Sequence, residues 1–339
     1  MQDPLLATVN RNKTARGYCL VLCVSLLGSF ALGCGPTAPV VEDASEEVIS
    51  TAVMDAAVLD AQLDELLKAG QDDGMEVSVW VGGREDDPWY VRNAEVWRPV
   101  ASAIKVAYLI ELFNTYADQL DGVLEGAAEI VTDPTHPAIA HFNDEQQADI
   151  RDHLANATVR EVGYMMIRGV GVSNAVYNAA ANVTTAVLGG PASLTKLIHD
   201  RDPAFVGLVS RRYMQADRVV NGDNEATAAA LAVVLQQIAF RRVPKTDADT
   251  TQAMWEILHV PEDAGPTGSH YFKSGSLDSD PLTRIRSGFW ESPTGIVVYV
   301  VMVEQPNPGS RTREEAGLHL ADVSVAVTDA VLAAARMGQ

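Results

Sequence analysis

Trp97-Arg98-Pro99-Val100-Ala101-Ser102-Ala103-Ile104-Lys105-Val106-Ala107-Tyr108-Leu109-Ile110-Glu111-Leu112-Phe113 is the stretch that organises the rest of the chain. From Ala103 onward only Lys105 and Glu111 interrupt an apolar run, and no polar stripe recurs at helical spacing. Such a helix is apolar nearly all round and is expected to be buried. Lys105 is then the oddity, because lysine is seldom fully buried and desolvation disfavours its charged form. Ser102 lies three residues earlier, on the same helix face and one turn away. A serine at the mouth of a buried helix with a lysine one turn inside suggests an activated nucleophile. The plain alternative is an N-cap serine at a helix start. Chance S-x-x-K spacings occur about once in a few hundred residues, and Ser193-Leu194-Thr195-Lys196 is a second one in this chain.

Working outward, the 339 residues are 47% hydrophobic with mean hydropathy +0.02, enough for one large domain or two interleaved ones. Arg11, Lys13 and Arg16 precede an apolar run from Tyr18 to Leu32, too short for a stable membrane span, which reads as an export signal over 1–33. It ends in Ala31-Leu32-Gly33-Cys34, which resembles the lipobox of bacterial lipoproteins. That resemblance implies an acylated Cys34 and a protein lipid-anchored to a bacterial membrane, facing the periplasm or the exterior. Cys19 and Cys23 lie inside the signal, so Cys34 alone stays in the mature chain and no disulfide is expected. Without residues 1–33 the chain carries 22 basic and 44 acidic residues, a net charge of −22. So acidic a protein is not expected to bind nucleic acid or anionic lipid through basic contacts.

Residues 34–50 read as a small, acidic tether. Apolar spacing predicts a helix from Thr51 to Ala69, and Met75–Val81 and Trp89–Val96 read as a strand pair. The middle, 116–254, is mainly helical, with helices over Thr158–Arg168, from Asn178 to Leu188, after Gly189-Gly190-Pro191, and over Glu225–Phe240. Strand character returns at His270–Ser274, Arg284–Trp290 and Gly295–Val303, and Arg313–Arg336 closes the chain as a helix. The expectation is an α+β fold over 51–339. An antiparallel sheet of about five strands comes from both chain ends (51–115 and 255–339), flanked by the terminal helices, with an all-helical part inserted.

Pro99-Val100-Ala101-Ser102-Ala103-Ile104-Lys105-Val106 resembles the P-x-A-S-x-x-K-V of class A β-lactamases and the wider penicillin-binding superfamily. Asn178-Ala179-Ala180-Ala181-Asn182 followed by Gly189-Gly190-Pro191 is similar to that family's N-T-A-A-N and G-G-P at the same separation. Lys273-Ser274-Gly275-Ser276 stands for K-T-G-S. The likeness runs over roughly 55–335 and implies a cofactor-free, metal-free serine hydrolase. Ser102 would become acylated, with Lys105, its pKa lowered by burial and by Lys273, taking the Ser102 proton. The N–H groups of Ser102 and Ser276 would form an oxyanion hole, each donor worth about 3 kcal/mol of barrier. Asn178 would orient the substrate amide. Ser274, Gly275, Ser276 and either Arg284 or Arg286, with Arg286 preferred, would receive the substrate carboxylate.

Two departures stand out. The serine of the family's S-D-N falls on Val176, leaving Ser173 or Tyr177 to supply the missing hydroxyl. The E-x-x-L-N that carries the water-activating glutamate is absent. Instead 212–224 resembles a branch with M-x-x-E-x-x-x-x-G-x-x-N, in which Asp217 takes the glutamate's place with about 1 Å less reach; the alternative is a loop ion pair. His136 and His141, near Asp133 and Asp144, match no zinc spacing. The expected function is β-lactam ring opening by a monomer; the alternatives are a D-alanyl peptidase acting on D-Ala-ending peptides, or a covalent β-lactam binder.

Overall fold

The structure, a computed structural model, describes residues 55–71, 74–84, 87–265 and 268–337. The export signal, Cys34 and the tether lie outside them. The chain enters through α1 (Ala56–Gln71), β1 (Glu76–Gly82), β2 (Tyr90–Arg92) and β3 (Arg98–Pro99). A 3-10 turn, Ala101–Ile104, then leads into α2 (Lys105–Thr115). The helical part follows: α3 (Ala127–Thr132), α4 (Asp144–Leu154), α5 (Val159–Ile167), α6 (Asn174–Val187) and α7 (Pro191–Arg201). Next come the short strands β4 (Leu208–Val209) and β5 (Glu225–Ala226), then α8 (Ala228–Ala239) and α9 (Ala248–Leu258). The chain returns to the sheet with β6 (His259–Gly265), β7 (Gly268–Leu277), β8 (Leu282–Ser292) and β9 (Gly295–Gln305), and ends in α10 (Arg313–Met337).

Among the described residues the main sheet has six antiparallel strands in the order β2-β1-β9-β8-β7-β6, one more than expected from the sequence. The extra strand is β6, whose Pro261, Glu262 and Asp263 break any alternation. It pairs with β7 only at His259, Val260 and Gly265, with a register shift between. Helices cover both faces, which is why β1 and β9 read as nearly continuous apolar runs. Val77, Val79, Tyr299 and Val301 pack with Leu59 and Leu63 of α1 and Leu320 and Val327 of α10. Trp80, Val298, Val300 and Phe289 join the core of α2, α8 and α9 on the other face. Burying each such side chain stabilises the fold by roughly 1.5–3 kcal/mol.

Every α2 residue from Lys105 to Phe113 is buried, as its all-round apolar pattern implies. Its second charge is neutralised rather than exposed: Glu111 accepts a two-pronged bond from Arg201 of α7, at 2.7 and 2.8 Å. Gly163 of α5 lets that helix approach Phe113 and Leu109, since a Cβ there would come within 2.6 and 3.0 Å of them. At the other end of the strand-to-helix connection, buried Arg98 donates to Ser78 (2.7 Å), Glu76 and Glu304, fixing β3 to the sheet just ahead of Ser102.

Two helix starts differ from the sequence reading. α6 begins at Asn174, a turn before Asn178, because Ser173 caps it by accepting the Val176 N–H. α8 begins at Ala228 with Thr227 as its cap, since Glu225 and Ala226 are used by β5 to pair with both β3 and β4.

Candidate active site

Ser102 sits in the 3-10 turn between β3 and α2, half-buried, at the edge of a cleft of about 310 Å³. The turn is held from both sides. The Val100 N–H donates to the Asn224 carbonyl (2.9 Å) and the Ala103 N–H to the Val100 carbonyl (3.1 Å). Ala101 is forced to φ +45°, a left-handed conformation that costs a non-glycine residue about 1–3 kcal/mol. β7 lies directly on this turn at Gly275, where a Cβ would stand 2.8 Å from the Val100 carbonyl oxygen and 3.0 Å from the Ala103 nitrogen. Glycine is therefore required by close approach, not by φ. As a first-turn group, the Ser102 N–H has no partner within its own helix.

The Lys105 amine has no solvent-exposed surface. Burial first, and the charge of Lys273 second, hold it well below the usual lysine range. Its Nζ donates to the Tyr177 carbonyl and to Asn178 Oδ1, both at 3.1 Å. A neutral amine has two N–H bonds and one lone pair. The two donated bonds use both hydrogens and leave the lone pair for a further partner, with Ser102 one turn away on the same helix. The Tyr177 ring also faces this nitrogen, its centroid 3.2 Å away, and lies 5.3 Å from Lys273 Nζ.

Lys273, Ser274, Gly275 and Ser276 lie on the part of β7 that β6 no longer pairs. Ser287 Oγ donates to the Lys273 carbonyl from β8, so Lys273 and Gly275 turn their main-chain groups toward β8. The alternation of an antiparallel strand then sends those of Ser274 and Ser276 to the free edge. Lys273 is buried and donates to the Ser274 carbonyl at 2.8 Å. In the β7–β8 register Ser274 stands opposite Arg286 and Ser276 opposite Arg284. The two arginines are not equivalent. Arg284 is engaged by Asp278 (2.7 Å) and by the carbonyls of Leu277, Thr283 and Gly317. Arg286 stacks its guanidinium over Phe272 at 4.9 Å, and its buried Nε has no hydrogen-bond partner among the described residues.

α6 brings Asn174, Tyr177 and Asn178 to the cleft. Asn178 donates to the Asn174 carbonyl and side chain while accepting from Lys105, so its orientation is fixed. Val176, at the position of the missing serine, is buried, and Tyr177 faces the two lysines instead. Ser173 lines an adjoining hollow with Tyr177, Lys273 and Ser274 rather than the Ser102 cleft itself, and its hydroxyl donates to Asp149 at 2.5 Å while capping α6.

Nor does the structure bring Asp217 to it. Asp217 is exposed on the 210–224 loop and accepts the Val219 N–H at 2.8 Å. The carboxylates that line the cleft among the described residues are Asp223 and Asp278. Asp223 is ion-paired with Arg212 (2.7 Å) and Arg218 (3.2 Å), and Asp278 with Arg284. Arg212, Gln215 and Asn224 complete that wall. Sequence reasoning gave these loop residues no role. The signal that points to one of them is Asn224, whose Oδ1 accepts the N–H groups of both Arg211 and Arg212 and so closes the loop at its base.

A six-stranded antiparallel sheet with an inserted helical part, and a serine–lysine turn packed under a K-S-G strand, define a class of serine hydrolase. The model of the β-lactamase enzyme family matches residues 58–331, and the chain belongs to that family. That family is one of β-lactamase-type hydrolases. Its fold is similar to that of a class A β-lactamase from Bacteroides cellulosilyticus, at 16% identity and TM-score 0.60 over 81% of this chain and 98% of that one. A β-lactamase from Sphaerobacter thermophilus gives 18% and 0.57, covering 80% and 96%. A class A β-lactamase from Clostridium kluyveri gives 16% and 0.55, covering 82% and 100%. At these identities the likeness is one of fold. A search of curated proteins finds no match.

Proposed function

We propose that the protein opens β-lactam rings through an acyl-enzyme on Ser102. The observation that carries this reading is the Lys105 amine, buried, held below its usual range and with both hydrogens already donated, one turn from a serine in a strained turn. Ser102 Oγ attacks the lactam carbonyl carbon while Lys105 takes its proton. The oxyanion forms against the N–H groups of Ser102 and Ser276, and the carbon–nitrogen bond breaks as the ring nitrogen takes up a proton. Tyr177, which lines the cleft with its ring against both lysines, is the candidate for that last transfer. Water then cleaves the Ser102 ester, returning the serine and releasing the opened acid. Asn178 orients the substrate amide. The free edge at Ser274 and Ser276, with the acid-free Arg286, suits the substrate carboxylate. Attachment to a bacterial membrane through an acylated Cys34 belongs to the same proposal.

One observation favours a second reading. Both carboxylates that line the cleft are tied to arginines, so neither is free to activate water. That suits a D-alanyl peptidase that passes the acyl group on slowly, or a covalent binder. Intact mass measured over time after a pulse of benzylpenicillin separates the three. An adduct that forms and decays marks a β-lactamase. A persistent adduct, with D-alanine released from a D-Ala-D-Ala peptide, marks the peptidase; a persistent adduct without release marks the binder. No adduct, or one that survives in Ser102→Ala, sinks the whole proposal.

A further inference from the structure

Gln215 lines the cleft with φ +64°, a conformation that ordinarily falls to glycine or asparagine. It is the third residue of a turn closed by the Ala216 N–H donating to the Tyr213 carbonyl at 3.2 Å. The residues on either side of it, Met214 and Ala216, are clamped. Asn182, fully buried in α6, takes the Met214 N–H on its Oδ1 (2.5 Å) and gives its Nδ2 to the Met214 carbonyl (3.0 Å). His141 Nε2 meets the same carbonyl at 2.9 Å, so that nitrogen carries the hydrogen. On the far side Arg212 donates to the Ala216 carbonyl at 2.7 Å. Three side chains thus hold a strained glutamine in place, while its own exposed carboxamide makes no hydrogen bond to the described residues.

Glycine would fill that turn with less strain, so the glutamine side chain needs another account. Its location supplies one. Asn182 follows Asn178 by four residues on α6, so the clamped Met214 sits about one helical turn, roughly 5.4 Å, beyond the asparagine beside Lys105. The cation on Gln215's own wall, Arg212, is spent on Asp223, whereas Lys273 on β7 and Arg286 on β8 have no acid partner among the described residues. A carboxamide offers one donor group and one acceptor, the complement of another amide.

We infer that Gln215 is a specificity-determining residue: its carboxamide, presented by the Asn182–His141–Arg212 clamp, engages the exocyclic acylamido group of the substrate. This rests on the Ser102 acyl-enzyme reading and deepens it. Asn182 is a positioning residue that acts through Met214.

The test compares two β-lactams that share a ring system, benzylpenicillin with an acylamido side chain and 6-aminopenicillanic acid with a bare amine. Second-order rates of Ser102 acylation are read by intact mass. Gln215→Ala and Gln215→Gly should each slow benzylpenicillin by about tenfold, the upper worth of one lost hydrogen bond, and change 6-aminopenicillanic acid by less than about twofold. Gln215→Asn should recover part of the loss. Gln215→Gly should also melt higher than the wild type, because the strain is relieved while the turn is kept. An unchanged ratio of the two rates overturns the inference, whether both fall together or neither falls, and so does a Gln215→Gly protein that melts no higher. A wild type that forms no adduct with either probe fails the acyl-enzyme reading itself, a result separate from an unchanged ratio.

Discussion

Gly275→Ala puts a methyl group where β7 meets the Ser102 turn, and the structure says how far the turn must move. The new Cβ would stand 2.8 Å from the Val100 carbonyl oxygen, 3.0 Å from the Ala103 nitrogen and 3.3 Å from the Ala101 Cβ. Ordinary contact begins at 3.4 Å, so the turn or the strand must give by about 0.6 Å. Two of the three neighbours are main chain, and the turn is pinned by Asn224 and strained at Ala101, so no flexible side chain absorbs the shift. Overpacking of this kind costs about 1–3 kcal/mol of stability. A misplacement of 1 Å can cost about 100-fold in rate, so 0.6 Å corresponds to a loss on the order of tenfold. Urea unfolding and the rate of benzylpenicillin acylation measure the two effects on one preparation. Acylation within twofold of wild type, at unchanged stability, would refute the claim that this contact sets the position of Ser102.

Lys105→Met keeps the volume and removes the base, so acylation should fall by roughly 100- to 10,000-fold while Ser102 stays in place. In the wild type the neutral amine is the working form, so acylation should decline about tenfold per pH unit once pH drops below the lowered Lys105 pKa, and the residual Lys105→Met rate should lack that limb. The same group is protonated when unfolded, up to its ordinary 10.5, and neutral when folded; stability therefore rises with pH between the two values, and the mutant should lose that slope. Asp217→Asn should leave the lifetime of the acyl-enzyme within twofold, because the side chain is exposed and spent on Val219; a severalfold longer adduct, timed by intact mass, would show the loop closing over bound substrate. Cys34→Ser should move the protein from the membrane to the soluble fraction, and unchanged fractionation would remove the lipid anchor from the proposal.

The features legible in the sequence were those in which a local period or a close contact dictates residue type. The α2 run tolerates no polar stripe because all of its faces are covered, so burial was readable before any partner was known. β9 and α10 were legible for the same reason, their apolar residues facing α1 and the sheet. β6 was not, because its pairing rests on three residue pairs and a register shift, and hydrogen bonds between main chains leave no mark on side-chain choice. The start of α6 was hidden similarly. Ser173 carries a cap signal, but the same residue offered a spare hydroxyl for the site, and only the bond to Asp149 shows where that hydroxyl is directed.

The placement of the loop carboxylates was hidden for a different reason. Spacing along a loop gives chain distance but not direction, and 210–224 has no period to fix which side chains turn inward. In a chain with 45 acidic residues, an acid near any chosen loop position is also expected by composition alone. What distinguishes one acid from another is its company. Asp217 sits outside the cleft with a main-chain N–H, whereas Asp223 lies inside it between Arg212 and Arg218. A carboxylate in that second setting serves as a strut: its lone pairs are committed, and one of its arginines also grips the turn that presents Gln215. Asp223 therefore shapes the wall of the cleft, and in the proposed mechanism deacylation would proceed without a free carboxylate among the described residues that line it. In the proposed mechanism, slow deacylation and the selectivity inferred for Gln215 thus fall in the same loop.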